Sequence, residues 1–332
     1  MKFNILSIEK VLPKNVISSE TLDKIVNGSV GRIEKNTGVK FRYHASGNET
    51  IAEMGAAALQ KALDKAHLQP KDIDLLIFAG GSFDYPVPHN SVLIKSKLTD
   101  DSVNFPCFDI DATCLSYLNA LDIAHLYLQA GRYKKIAIVC SEIASKALTP
   151  SDEKIFGLFG DAAVATIIAL AKTTETTGYT PQYVCFTNYP SGALYAYVPI
   201  GGAVDRGIHA LPSELGYYFK MEGKNLIRLT VKHLDKFVSD IEKSVSIKIT
   251  DYDHIITHQT SKYGNLYFID KFKVPTNKVV ETLSLYGNCI SASIPLGLEI
   301  LINNNTNIKN KQILLLGSGA GLSLGAIALK FD

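Results

Sequence analysis

The chain has no tryptophan and only three methionines among its 332 residues. No apolar run reaches membrane-spanning length, so a helical membrane protein is not expected. The charges nearly cancel: 34 Lys and Arg against 32 Asp and Glu leave a net +2, with no basic run. That is not the electrostatic footprint of a nucleic-acid binder. The opening MKFNILSIEKVLP is too short and too charged for a signal peptide, which points to the cytoplasm. Five cysteines include no Cys-x-x-Cys pair and no His/Cys cluster at metal-ligand spacing. Neither a disulfide framework nor a metal site is expected. Cys107, Cys140 and Cys185 fall in apolar, strand-like segments, where cysteine acts as a small hydrophobe.

What is present is an ordinary soluble-enzyme composition, 46% apolar and 20% charged, long enough for two domains. Residues 1–17 alternate as a strand and turn, and 19–37 read as polar helix or loop. TIAEMGAAALQKALDKAHL then reads as a helix capped by Thr50. DIDLLIFAGG is a buried strand, and a proline-rich turn, YPVPHN, leads to another helical stretch. A short strand ends in Asp-Ala-Thr, and Cys114 opens an amphipathic helix closing at Gly131. At a helix start the dipole and the unpaired N–H groups favour thiolate over thiol.

The second half repeats this order. NLIRLTVKHLDKFVSDIEKS is an amphipathic helix, DYDHIITHQT matches KDIDLLIFAGG, and GNCISASIPLGLEILI matches the Cys114 segment. The match sets Lys134 against Lys311, Asp74 against Asp253 and Cys114 against Asn288. The expected fold is a duplicated α/β unit, halves 1–172 and 173–332, with mostly parallel sheets covered by helices. A pseudo-two-fold axis brings equivalent strand ends together, where α/β sheets hold their sites.

Three groups fall at such ends: Cys114, His258 in ITHQTS and Asn288 in YGNCISAS. A nucleophilic thiol needs donors for the anion that follows, and His258 and Asn288 both donate. Taken singly, each has an ordinary structural reading: a helix-start cysteine, a core histidine, a capping asparagine. The joint placement is what favours chemistry. GSGAGLSLG (317–325) misses the dinucleotide fingerprint and reads better as a turn offering N–H groups to an oxyanion.

On these residues the chain resembles the thiolase-fold condensing enzymes, above all β-ketoacyl-acyl-carrier-protein synthase III. The matching pieces are DATCLSYLNALDIAHLYLQAGRYKKIAIVCSE, LFGDAAVATII, ITHQTS, YGNCISASIPLGLE and GSGAGLSLGAIALKF, spread along nearly the whole chain. The resemblance implies a five-layered αβαβα thiolase-like fold and a Cys-His-Asn triad of Cys114, His258 and Asn288. It implies that Cys114 takes an acyl group from a coenzyme A or carrier-protein thioester. The N–H groups of Cys114 and Ala320 would hold the oxyanion. A malonyl thioester on acyl carrier protein then loses CO2, and its carbanion attacks the acyl-cysteine. No cofactor beyond these thioesters is implied, and a homodimer is.

Several positions depart from the pattern. Arg32 stands where users of acyl-CoA carry a tryptophan, and Asn36 where they carry an arginine. HQAN reads HQTS, with Ser261 for asparagine, followed by Lys262 and by Tyr263 for arginine. Val87 replaces an aromatic residue closing the acyl pocket, and Ser116-Tyr117 replaces a Gly-Phe pair. These changes point to a specialised paralogue with an altered acyl chain or donor, in fatty-acid or specialised-metabolite synthesis. Arg228, Lys262 and Lys271 are candidate contacts for an acidic carrier protein.

Other readings remain open at this level. A same-fold acyltransferase would move the acyl group to an alcohol or amine without forming a C–C bond. A papain-like hydrolase shares the order Cys, His, Asn but needs a Cys-Gly-Ser-Cys-Trp signature that is absent. A non-catalytic partner subunit would have lost its nucleophile. Chemistry like that of HMG-CoA synthase needs a glutamate where GGSFDYPVP offers only Asp84.

Overall fold

The computed structural model describes residues 1–171, 178–203, 214–304 and 308–332. The expected boundary between halves, at 172/173, lies outside the described residues. The strands run in chain order as β1 (Phe3–Val11), β2 (Asn15–Ser18), β3 (Phe41–His44), β4 (Leu75–Ala79), β5 (Cys107–Ile110), β6 (Lys135–Glu142) and β7 (Ala162–Leu170). They continue as β8 (Tyr179–Asn188), β9 (Ala196–Tyr197), β10 (Lys220–Met221), β11 (His254–Thr257), β12 (Lys311–Gly319) and β13 (Ser323–Phe331).

Nine strands share one sheet in the order β11-β12-β13-β8-β1-β7-β6-β4-β5. Read outward from its middle, the sheet is two copies of one four-strand pattern, β1-β7-β6-β4 and β8-β13-β12-β11, the first extended by β5. In each copy the first strand lies antiparallel to the last, which lies antiparallel to the strand before it. That strand is parallel to the next. The copies join through β1 and β8, whose pairing is Phe3 with Tyr179. Mostly parallel sheets were expected from the alternation of helices and strands. The structure corrects this: β4/β5, β4/β6 and β11/β12 are parallel and the other pairs in this sheet are antiparallel. A tight β12–β13 hairpin reverses the chain with no helix between, and the β6-to-β7 return carries only the one-turn α-helix Glu153–Phe156.

Side-chain alternation builds the layers. On β4, Leu76 and Phe78 face helix Ile51–Lys65, while Leu75 and Ile77 face the opposite way, toward helix Ser116–Gln129. The middle cluster gathers inward residues of both half-sheets around helices Ser116–Gln129 and Ser293–Asn303. A third cluster packs the far side of β11, β12 and β13 on helices Gly223–Val245 and Lys262–Phe272. Helix, sheet, helix, sheet, helix is the resulting order, with the central helices buried on both faces.

Local expectations hold at several caps. Thr50 Oγ1 accepts from Glu53 N–H at 3.1 Å, starting helix Ile51–Lys65, and Gly131 at φ 66° follows the Cys114 helix. Cys107, Cys140 and Cys185 lie on β5, β6 and β8.

Candidate active site

Two turns, one in each half, carry the site. In the first, Asp111 Oδ1 accepts the Thr113 N–H at 2.8 Å, and Ser116 Oγ accepts the Ala112 N–H at 2.9 Å. Thr113 sits at φ 51°, and Thr113–Leu115 forms a 3-10 turn before helix Ser116–Gln129. In the second, Asn288 Oδ1 accepts the Ile290 N–H at 2.9 Å, and Ser293 Oγ accepts the Cys289 N–H at 3.0 Å. Ile290 sits at φ 49°, and Ile290–Ala292 leads into helix Ser293–Asn303. The same bonds recur residue for residue, so Asp111 corresponds to Asn288 and Cys114 to Ser291. This corrects the expected pairing of Cys114 with Asn288, which matched chemistry where the backbone matches three residues further on. Asp74 and Asp253 do correspond: each accepts backbone N–H groups at the start of β6 or β12.

The end of β12 runs between the first turn and His258. A Cβ on Gly317 would stand 2.7 Å from Leu115 and 3.3 Å from His258, and one on Gly319 would stand 2.9 Å from Thr113 Oγ1. Glycine is required here because two side-chain layers close on one backbone. Past Gly319 the Ala320 N–H hydrogen-bonds toward the Cys114 sulfur, as does the N–H of Cys114 itself. Ala320 therefore stands where an oxyanion donor was expected.

Burial pushes the Cys114 thiol up to about 12, with the N–H contacts opposing the shift. The helix-start argument for a resting thiolate is thus overturned. A short 3-10 turn precedes the helix, and desolvation outweighs the dipole. The sulfur rests as a neutral thiol.

His258 directly follows β11, with its N–H bonded to the Leu316 carbonyl at 2.8 Å, and its side chain is buried. Its Nε2 lies 3.1 Å from Asn288 Oδ1. Because that oxygen already accepts the Ile290 N–H, the amide orientation is fixed and Nε2 carries the hydrogen. Burial pushes the imidazole down to about 4, so it is neutral at physiological pH. The adjoining Gln259 accepts from Thr282 and Leu283 N–H groups, tying the approach to Asn288 onto the His258 strand.

Asn288 is clamped from the other side by residues 158–160. Its N–H donates to the Leu158 carbonyl at 2.9 Å, and its carbonyl accepts the Gly160 N–H at 3.1 Å. A Cβ on Gly160 would come within 2.0 Å of the Tyr286 carbonyl oxygen, so this contact admits only glycine. Asp161 holds the loop by accepting from the N–H groups of Ala45 and Ser145.

The expected substrate-binding residues are spread more widely. Arg32 and Asn36 are exposed on helix Arg32–Thr37, and Arg32 pairs with Glu153 at 2.6 Å. Lys262 packs against Gly38 at the end of that helix, and Ser261 Oγ caps helix Lys262–Phe272 at 3.1 Å. Those four residues lie along one edge. Arg228 is exposed on helix Gly223–Val245, and Val87 is 84% exposed in the loop before helix Asn90–Leu98. Lys271 is engaged with Asp235 at 3.0 Å. Asp84 accepts the N–H groups of Ile51 and Ala52, both at 2.9 Å, so it serves as a helix cap. Sequence reasoning passed over Glu142 and Ser291. The signal for the first was an acid ending an otherwise apolar strand, IAIVCSE. Among the described residues, no group of three or more His, Cys, Asp and Glu is placed to hold a metal ion.

A duplicated sheet pattern with a thiol on one central turn and an amide on the other defines a thiolase-fold enzyme. Comparison narrows the class. Family models for 3-oxoacyl-[acyl-carrier-protein] synthase III match residues 108–180, and for its C-terminal region residues 242–331. The β-ketoacyl-[acyl-carrier-protein] synthase III of Clostridium perfringens is 31% identical over 319 residues, covering 96% of each chain. The crystal structure of the Aquifex aeolicus 3-oxoacyl-[acyl-carrier-protein] synthase III superposes with a TM-score of 0.86 at 26% identity over 99% of each chain. The priming β-ketosynthase of the R1128 polyketide pathway shares the fold, with a TM-score of 0.87 at 24% identity over 99% of this chain and 96% of that one. This chain belongs to the β-ketoacyl-acyl-carrier-protein synthase III family, a family of acyltransferases.

Proposed function

We propose that the chain forms an acyl-enzyme on Cys114 and then a carbon–carbon bond by decarboxylative Claisen condensation with a malonyl thioester, the malonyl group being carried by acyl carrier protein. The observation that carries this reading is the neutral donor pair, His258 Nε2–H beside the Asn288 amide, across the β12 glycines from a thiol that itself faces the Ala320 N–H. In the first half-reaction the Cys114 sulfur attacks the thioester carbon, its proton leaves with the departing thiol, and the Cys114 and Ala320 N–H groups hold the oxyanion. In the second, the malonyl carboxylate departs as CO2 and the electron pair collects on the thioester oxygen. The Asn288 Nδ2 hydrogen and the His258 Nε2 hydrogen, turned from Asn288 Oδ1 to the substrate oxygen, hold that enolate, whose carbon displaces Cys114. Neutral donors suit this step: they stabilise charge as it develops without pairing to the ground-state carboxylate.

In this reading residues 1–172 form the half with the nucleophile and 173–332 the half with its donors. The Arg32–Glu153 pair at the place of the expected tryptophan favours an altered acyl chain or a carrier-protein-bound donor. Exposed Arg228 and Lys262 suit an acidic carrier. The chain acts in the cytoplasm as a homodimer; the edge position of β5 and exposed Phe83, Tyr85 and Val87 in the loop after β4 support the dimer.

A screen of acyl thioesters by intact mass identifies the cargo, with Cys114→Ala as the control that must stay unmodified. Malonyl-dependent CO2 release from the loaded enzyme is the expected result. Acyl transfer to an alcohol or amine without CO2 would replace condensation by the simpler acyltransferase reading.

A further inference from the structure

Behind the nucleophile turn lies an acid that the mechanism above does not use. Glu142, the last residue of β6, is fully buried. Its Oε1 accepts the Gly81 N–H at 2.9 Å and lies 2.5 Å from Ser291 Oγ, while Oε2 has no partner at hydrogen-bond distance among the described residues; the Ser82 hydroxyl and the Ser291 N–H approach the carboxyl group from further off. Ser291 Oγ also lies 2.9 Å from the Ala79 carbonyl oxygen. A serine hydroxyl has one hydrogen. The Ala79 carbonyl can only accept, so both contacts are satisfied together when that hydrogen serves Ala79 and the shorter contact takes its hydrogen from Glu142. Burial without a cation makes the same demand, since an unpaired buried carboxylate costs several kcal/mol.

We propose that Glu142 rests as a neutral carboxylic acid sharing its hydrogen with Ser291 Oγ, and that it is a positioning residue keeping fixed charge away from the Cys114 sulfur. Geometry connects the two. Gly81, whose N–H binds Glu142, lies so close to the first turn that a Cβ on it would stand 3.3 Å from Thr113 Cα. The titratable groups facing Glu142 are the thiols of Cys114, Cys140 and Cys289, each held neutral by burial. A carboxylate here would oppose the negative charge that Cys114 develops in attack and again when it leaves. A neutral acid keeps the hydrogen-bonded link between the turns without that opposition. The inference concerns the field at Cys114 and stands whether the acyl-enzyme goes on to condensation or to simple transfer.

The test is infrared spectroscopy of the full-length protein, unlabelled and with 13C-glutamate. A protonated-carboxyl carbonyl band that moves with the label and is missing in Glu142→Gln is expected. Loss of only carboxylate bands in that variant would overturn the proposal. In Ser291→Ala the band should persist at higher frequency, because the acid has lost its acceptor; an unmoved band also overturns it. Iodoacetamide alkylation of Cys114 at neutral pH should agree between wild type and Glu142→Gln within about twofold, because no charge is removed. An acceleration of ~10-fold or more, equal to one pH unit in the thiol, would mean that a carboxylate had been there. Should Glu142→Gln misfold and alkylate at several cysteines, the Ser291→Ala band decides.

Discussion

The turns Asp111–Ser116 and Asn288–Ser293 share their first-residue and serine side-chain bonds to the backbone and a positive φ at the third residue, yet in the proposed function they divide the chemistry between them. The first spends its opening position on an exposed carboxylate and its fourth on the sulfur. The second opens with the amide that meets His258, and its fourth residue, Ser291, turns away to Glu142. In the proposed function one scaffold thus presents a nucleophile or a donor according to which of two positions is filled. The acid that Ser291 meets lies on the nucleophile's half, so each turn also depends on the other.

The sharpest way to break this comparison is to empty the fourth positions. Cys114→Ala should abolish the acyl adduct by intact mass and lower turnover by ~10³-fold or more. Ser291→Ala, its counterpart, should still be acylated. Equal losses would mean that the turns are not divided in this way. At the opening positions, Asn288→Asp should cut malonyl-dependent CO2 release by about 10²–10³-fold while sparing acylation, since it replaces amide hydrogens with charge that repels an enolate. Asp111→Asn keeps the oxygen that Thr113 uses, and CO2 release should hold close to wild type.

Smaller effects concern support. Gly160→Ala forces a Cβ against the Tyr286 carbonyl, whereas Gly81→Ala meets Thr113 at a looser 3.3 Å. Denaturant titration should show the first costing about 1–3 kcal/mol and the second less. The smallest effect is in pH. His258 has a folded value near 4 against 6.5 unfolded, so its contribution to stability is present above pH 6.5 and is lost as pH falls toward 4. His258→Gln should flatten that part of the stability profile. The Cys114 thiol shifts the opposite way, and its alkylation should keep climbing with pH well past the range where free cysteine levels off.

Much of this was legible in the sequence because it rests on periodicity and caps. The β4 strand, the Thr50-capped helix and the Cys114 helix are apolar patterns bounded by polar signals. Strand direction was not legible, because an apolar run such as AAVATIIAL reads the same whichever way it pairs. The alignment of the two turns also failed, by three residues. Asn288 was matched to Cys114 as a chemical partner, while the true correspondence lies in Asx and serine bonds to the backbone that leave no hydrophobic pattern. Glu142 escaped notice because a charge at the end of a strand ordinarily marks the surface. Neighbours distant in sequence enclose it, among them Ala79 and Gly81, Ala162 of β7 and Ser291.

The half-sheets meet at Phe3 and Tyr179. With so little ladder across that seam, the separation of thiol from amide is gauged by the thickness of the helical filling between the halves, as a spacer sets the jaws of a caliper. Leu115, Leu118 and Ile294 are part of that spacer. Trimming one of them would detune the alignment of two turns it leaves chemically intact, and a family with this fold has in its middle layer a dial for activity that never touches substrate.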